Sequence, residues 1–509
     1  MQIIKPYQNH LNVIIHSFEL SLVWNINYRK MKKSIPIVLL AFASQITFAQ
    51  LSADSIKAII KQEVANKRSK SIVVGIIDKN GRQIYSEGIL SDKNPALPDG
   101  DTVYEIGSIT KVFTSLLLAD MSLKHEVNLN DPISKYLPKN VKSPTRNGKE
   151  ITLSNLSTHR STFPRFPYNV DPKNLDQSYA DYSVKQLYEY ISDFKPSFDI
   201  DSKWQYSNVA YGVLGEILTS VAHKKNYETF VEDVICKPLK MKSTVITFTP
   251  EIKRRAAIGH SEYGEPVDFI ELGAIEAGGG FRSTANDMLT FAAANLGFIK
   301  SDIYPAMELT HFQQAKKDGN RGYVTLGWTL YNDDEKNIIF KDGGTPGYRT
   351  FLGVDKKNGF AVVVLSNSNN GVTDIGNHII DSSSKITPYK YPWKLLDTLR
   401  TTINQSGVDE GINLYKKLKT SKEPDLYFNE NQLNYLGHEL RKANKLNDAI
   451  KIFELNVFEY PDSTLPYENL GEIYKRNNNK KKAIECFRNA QELEPENPRW
   501  KFLLDKLIK

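Results

Sequence analysis

Three short strings in this chain have the residue types and spacing that acyl transfer needs. The first is Ser108-Ile109-Thr110-Lys111, which follows Tyr104-Glu105-Ile106-Gly107 and opens the apolar run VFTSLLLADM. Gly107 ends an extended segment, so Ser108 falls in the first turn of the helix that follows. Lys111, three residues on, shares its face. The helix N-terminus adds positive potential and free N–H groups at that point. A lysine partly buried near other cations has a lowered pKa, so it can be neutral and take the hydroxyl proton. Ser108 thus carries its own base. Two other S-x-x-K strings start at Ser192 and Ser382. Lys195 is followed by Pro196, which disfavours a shared helical face, and Ser382 stands in a serine run near Pro388.

The second string is Tyr206-Ser207-Asn208, just ahead of the helical pattern VAYGVLGEIL. A phenol serves as general base only where cations stabilise its phenolate. Lys111 and one more lysine would do so, while the Asn208 amide can hold Lys111 or a substrate carbonyl. The third string is Lys341-Asp342-Gly343-Gly344-Thr345-Pro346-Gly347. Its glycines suit an edge strand that a substrate backbone approaches closely, and its N–H groups can bind an oxyanion. Each pattern is weak alone, since Y-x-N and K-x-G both occur four times in the chain. Their order and surroundings are what select Ser108, Tyr206 and Lys341.

Together the strings resemble the serine β-lactamase and penicillin-binding protein superfamily, in the branch with Tyr in the second motif. Class C β-lactamases, related D-alanyl-D-alanine carboxypeptidases and family esterases lie there. The resemblance extends over about 51–385 and includes Leu129-Asn130-Asp131-Pro132, Leu156–Pro164 and Gly278–Asp287. It implies Ser108 as the acyl-accepting nucleophile, with Lys111 and Tyr206 sharing proton transfer. Asn208 orients, Lys341 supplies positive potential, Gly343 and Gly344 border the substrate, and the N–H groups of Ser108 and Gly344 form the oxyanion hole. It implies no metal and no cofactor. The substrate is then a β-lactam or related D-amino-acid amide; an esterase, a D-aminopeptidase or carboxypeptidase, and a slow penicillin-binding sensor are the alternatives. One departure matters. Asp342 stands where enzymes that handle β-lactams usually have a hydroxyl residue, and its carboxylate would repel a substrate carboxylate if it faced the site. Arg349, a few residues on, could compensate for that charge, but it reads as a surface arginine.

Other chemistries find little support. There is no H-E-x-x-H string, no G-x-S-x-G elbow and no P-loop. His159 reads as a structural hydrogen-bonding histidine, and glycines 278–280 as a tight turn near the cleft.

The elements that must hold these strings are legible. Ser71–Asp78 and Arg82–Ile89 are β-rich runs joined at Asn80-Gly81, a hairpin signal. Thr350–Val354 and Phe360–Asn367 form a second pair. Helical patterns lie between, at 109–124, 208–224 and 284–296, the last capped by Ser283-Thr284 with Asp287. Strands at both ends with helices between predict an α+β β-lactamase/transpeptidase-like domain over 50–385, with an antiparallel sheet flanked by helices.

An all-α repeat region follows. Gly437, Ala449, Ile450, Phe453 and Pro461 recur 34 residues later as Gly471, Ala483, Ile484, Phe487 and Pro495. This resembles the tetratricopeptide repeat, in which small residues let paired helices approach and the Phe fills the gap. Two such repeats are expected over 424–509, after a linker and a degenerate helix pair over 386–423. Repeats imply either a protein partner or packing against the first domain.

The 509 residues carry 66 Lys/Arg against 59 Asp/Glu, or 61 against 58 once residues 1–49 are set aside. So small a surplus gives no case for nucleic acid. Met31-Lys32-Lys33, the apolar run Ile35 to Ala43 and the small residues before Gln50 predict a secretory signal peptide over 31–49. Residues 1–30 read as an upstream extension ahead of a true start at Met31. The mature chain would then be exported, periplasmic or extracellular, with no membrane span. Its two cysteines, Cys236 and Cys486, fall in different domains, so no structural disulfide is expected.

Overall fold

The structure is a computed structural model that describes residues 51–508, except 313–314, 317–321, 332–336, 422 and 424–425. The expected upstream extension and signal peptide lie outside the described residues. After helix α1 (Ala53–Ala65) come strands β1 (Ser71–Asp78) and β2 (Gly81–Gly88), paired antiparallel. Asp78 pairs with Gly81, so Lys79 and Asn80 make the turn and Gly81, at φ +122°, opens β2. The hairpin lies one residue earlier than its Asn-Gly signal suggests. The Asp78 carboxylate accepts the Asn80 N–H at 2.7 Å and closes the turn locally.

The chain then runs through β3 (Val103–Glu105), α2 (Thr110–Leu123), α3 (Asn208–Val221), β4 (Arg282–Thr284) and α4 (Ala285–Asn295). Thr284 caps α4 by accepting from the Asp287 N–H, as its sequence requires. Short strands β5 (Ala315–Lys316), β6 (Tyr323–Val324) and β7 (Thr329–Leu330) precede three long ones, β8 (Ile338–Thr345), β9 (Tyr348–Asp355) and β10 (Phe360–Ser366). Helix α5 (Thr373–Ile380) follows. Among the described residues these strands form one eight-stranded antiparallel sheet in the order β2-β1-β10-β9-β8-β7-β6-β5.

The long apolar strands make sense because helices cover both faces of the sheet. Alternation sends Ile72, Val74, Ile76, Val362 and Val364 to one core with Ile56 and Ile60 of α1 and Ile375 and Ile379 of α5. Val73, Ile77, Leu352, Val363 and Leu365 face the other core, with Met288 and Leu289 of α4. All seven residues of β10 are buried, which is why that run reads as continuously apolar. Helix α2 lies inside the second core, buried at every position from Thr110 to Met121. A helix walled on all sides cannot drift, so its first turn is a rigid mount.

Helices α6 (Lys394–Ser406) and α7 (Val408–Ser421) form a pair, followed by α8 (Glu430–Lys442) with α9 (Leu446–Glu459), α10 (Thr464–Arg476) with α11 (Lys480–Leu493), and α12 (Pro498–Ile508). A Cβ on Gly437 would lie 2.6 Å from the Phe453 ring, and one on Gly471 2.5 Å from the Phe487 ring. The 34-residue repeat is therefore a repeated helix crossing. Residues 386–393 are no free tether, since Trp393 is buried and packs edge-on against Tyr263 and Tyr435.

The first helices of the repeats turn toward the hydrolase side of the chain. Arg441 and Lys442 of α8 grip Asp176 at 2.5 and 3.3 Å. Lys475 of α10 and Lys506 of α12 grip Asp171 at 2.7 and 2.9 Å. Burial works against both carboxylates, yet these cations hold them below the usual carboxylate range. Cys236 and Cys486 are free thiols, both buried. No helix of the described residues is long and apolar enough to cross a membrane.

Gly471→Val must push Phe487 out of the α10–α11 crossing. We expect a loss of about 1–3 kcal/mol, the usual cost of overpacking, seen as an earlier transition of the helical signal in urea.

Candidate active site

The site is built where α2, α3 and β8 meet. Gly107, at φ +51°, turns the chain from β3 into the short helical turn Gly107–Ile109 that carries Ser108. A Cβ there would lie 2.6 Å from the Gly344 nitrogen. One on Gly343 would lie 2.0 Å from the Ile106 carbonyl oxygen and 2.3 Å from Thr350 Oγ1, which itself donates to that carbonyl at 3.0 Å. Glycine at 107 and 343 lets the nucleophile turn press directly on β8, which brings the Gly344 nitrogen against the turn that carries Ser108. The edge-strand expectation needs amending. β8 is interior in strand order, but β7 pairs only with Ile339 and Phe340. Lys341–Thr345 therefore have a ladder partner on the β9 side alone.

Asn208 opens α3 behind Ser207, whose hydroxyl accepts the Ala210 N–H and donates to the Pro164 carbonyl at 2.7 Å. His159 Nδ1 accepts the Ser207 N–H at 3.1 Å, and its ring lies 4.5 Å from that of Tyr206. It does the structural work its loop suggested.

Around the nucleophile the polar contacts are dense. The Ser108 hydroxyl hydrogen-bonds the Tyr206 hydroxyl. Lys111 Nζ lies 3.2 Å from Ser108 Oγ and 2.7 Å from Asn208 Oδ1, and also contacts the Gly278 carbonyl. The glycine turn thus contributes an acceptor. Three cations surround the Tyr206 ring: Lys111 Nζ at 4.8 Å, Lys341 Nζ at 5.3 Å and the Arg165 guanidinium at 5.4 Å.

These contacts set the charges. Burial holds Lys111 well below the usual ammonium range, and Lys341 and Arg165 push it the same way. Lys341 is lowered too, by burial. Tyr206 goes in the other direction: burial raises its phenol, outweighing the Ser108 hydrogen bond and the Arg165 charge. The cations expected to favour a phenolate are present, and desolvation overrides them. A neutral Lys111 has two N–H groups, which Asn208 Oδ1 and the Gly278 carbonyl absorb, leaving its lone pair for Ser108. The site can therefore deprotonate a serine hydroxyl without any formal anion at rest.

All seven residues singled out from sequence come together here, while the rival string at Ser192 does not: its hydroxyl donates to the Tyr188 carbonyl and Lys195 is exposed. Arg349 is corrected. Rather than a surface group it is half-buried, donating to the Thr345 and Tyr348 carbonyls at 2.9 and 3.2 Å and lying against Gly344. Sequence reading missed Arg165, Glu262, Tyr263 and Tyr435, which line a cavity of about 440 Å³ beside Ser108. No motif marks them, because they come from loops and from a repeat helix distant in the chain.

Residues 56–381, well over half of the chain, match the Beta-lactamase family model. This chain belongs to the Beta-lactamase family. It is a serine hydrolase of that family with a tetratricopeptide repeat matched over residues 465–497. The D-alanyl-D-alanine-carboxypeptidase/endopeptidase AmpH of Escherichia coli K12 is 29% identical over 379 residues, 68% of this chain and 94% of that protein. A β-lactamase of Psychrobacter immobilis is 29% identical over 280 residues, 53% of this chain and 64% of that one. Among solved structures, the class C β-lactamase of Rhodobacter sphaeroides aligns with TM-score 0.55 at 23% identity, covering 62% of this chain and 95% of its own. The β-lactamase/D-alanine carboxypeptidase of Yersinia pestis aligns at 0.54 with 25% identity, covering 65% and 97%. The α+β expectation for this hydrolase and the helical repeat expectation both hold.

Because Lys341 helps to keep Lys111 neutral, Lys341→Met should raise the Lys111 pKa. The rising limb of a pH–rate profile, read on a small activated ester, should then move to higher pH. Lys111→Ala should cost about 10²-fold or more in the same assay. A limb that stays in place in Lys341→Met would assign the titration to another group.

Proposed function

We propose that this hydrolase forms an acyl-enzyme on Ser108 from a D-amino-acid amide, with β-lactams as strained members of that class. The observation that carries the reading is the Lys111 geometry: both N–H groups are spent on fixed acceptors and the remaining direction faces Ser108 Oγ. Ser108 Oγ attacks the carbonyl carbon while its proton passes to Lys111, directly or by way of Tyr206. The oxygen charge that develops is met by the N–H groups of Ser108 and Gly344. Collapse breaks the C–N bond, and the Tyr206 hydroxyl, re-protonated from Lys111, delivers the proton to the leaving nitrogen. Water then enters on the same side, gives a proton back through this pair, and releases the acid and Ser108. Lys341 keeps positive potential beside both steps. The resemblance to carboxypeptidase and β-lactamase relatives over the whole catalytic region supports the donor class.

A second reading, of ester or amine-bearing peptide substrates, is favoured by Asp342. Its side chain is exposed, and its charge acts on Lys111, Lys341, Tyr206 and Arg349 together. A donor with a carboxylate of its own meets repulsion there. We further propose export, on the strength of the leader pattern at residues 31–49; N-terminal sequencing of the protein from the cell envelope should then begin near Gln50.

The deciding experiment follows intact mass during incubation with benzylpenicillin, beside Ser108→Ala. An adduct on the parent alone is expected; rapid loss marks a β-lactamase, and persistence a peptidase or sensor. Asp342→Thr should speed adduct formation at least about fivefold, as loss of a like charge requires. No adduct in either protein would move the donor class to esters and amine-bearing peptides.

A further inference from the structure

The cavity beside Ser108 is not made by the hydrolase region alone. Its far wall includes Tyr435, from the first helix of the first repeat. The Tyr435 ring packs on Tyr263 at 4.4 Å and on Trp393 at 5.4 Å. Its hydroxyl donates to Glu262, which Asn369 holds from the other side. Arg349, lying against Gly344, sits in the field of Glu262. A line of side chains therefore runs from the repeat to the strand that borders the nucleophile.

Other parts of the lining are also held by the repeats. Arg165, Phe166 and Tyr179 line the same cavity, and the segment joining them is gripped at Asp171 by α10 and α12 and at Asp176 by α8. Arg476 and Arg499 add bonds to the backbone carbonyls of Pro172 and Tyr168 at 2.9 and 3.2 Å. Repeat arrays commonly offer such a face to partners; here those cations are occupied by the chain's own acidic segment.

We propose that the repeat array is a built-in part of the substrate cleft, and that Tyr435 limits the size of the acyl substituent the enzyme accepts. The assignment of sides rests on the reading of Ser108 given above. The leaving nitrogen must face its proton source, Tyr206 with Lys111, and neither lines the cavity. The acyl substituent takes the other direction, past Gly344 toward Pro346, where Tyr263 and Tyr435 close the space. Compact acyl groups fit and extended or branched ones collide with the Tyr435 ring, so the substrates are small fragments rather than a continuing polymer on that side.

Boronic acids test this independently of the natural donor, because an activated serine adds to boron: the Oγ–B bond forms, and the hydroxyl proton passes to the Lys111–Tyr206 pair. An acetylaminomethyl boronic acid and the same compound with a biaryl acyl group should be titrated calorimetrically against the full protein, Tyr435→Ala, Tyr435→Leu, Tyr435→Phe and Ser108→Ala. We expect the biaryl compound to gain at least tenfold over the acetyl one in Tyr435→Ala, less in Tyr435→Leu, and nothing in Tyr435→Phe, which keeps the ring and loses only the bond to Glu262. An unchanged ratio in both the Ala and Leu variants overturns the proposal. So does an equal change in Tyr435→Phe, which would assign the effect to the Glu262 hydrogen bond. If neither boronate binds in a Ser108-dependent way, the nucleophile reading falls and the proposal falls with it. Boronate binding without reaction with penicillin would overturn only the donor class.

Discussion

A lysine with no access to water is the constraint around which this protein is arranged. Lys111 is fully buried on a helix that is itself buried, with a second buried lysine nearby. An ammonium there would need several kcal/mol of compensation. The protein supplies two neutral acceptors, an amide oxygen and a backbone carbonyl, which suit an uncharged amine better than an ion pair would. No carboxylate hydrogen-bonds Lys111 among the described residues; Asp342 acts on it only through its field. That choice is what makes the amine basic toward Ser108. A carboxylate in hydrogen-bonding contact would stabilise the ammonium and remove the base.

Holding such a group in place explains much of the architecture. α2 is packed on every side, α3 brings Asn208 from one direction, and the Gly278 turn brings its carbonyl from another. The contact of Gly107 and Gly343 closes the remaining side against β8. Each support comes from a different part of the chain, so the site exists only once the two cores on either face of the sheet have formed. Glu105 belongs to the same scaffold: it pairs with Arg282 across β3 and β4 at 3.5 Å and accepts the Ile270 N–H at 2.6 Å. Burial pushes its carboxyl up to about 7 all the same.

The repeat array enters this design as a wall rather than as an appendage. Its helices cross at Gly437 and Gly471 as its spacing requires, and the cations of its first helices are used inside the molecule. The effect is to connect the loop carrying Arg165 and the segment around Glu262 through one set of packed helices. Shape at the mouth of the cleft and packing of the repeats are therefore a single property.

The sequence by itself determined the elements whose causes are local. β-rich apolar runs became strands, the Thr284 cap started its helix, a glycine–phenylalanine pair at spacing 34 became a repeated crossing, and Ser108 with Lys111 shared a helical turn. These depend on neighbours within a few residues or on a repeat that displays itself. Tertiary structure alone decided how charge is distributed: Tyr206 has its expected cations yet remains a neutral phenol, because desolvation depends on everything packed around it. It also decided that Arg349 lies against Gly344, that the charge of Asp342 acts on the site, and that Tyr435 reaches the cleft from a helix 173 residues beyond the Glu262 it bonds. No spacing encodes those facts, since burial and field are sums over groups that only folding brings together.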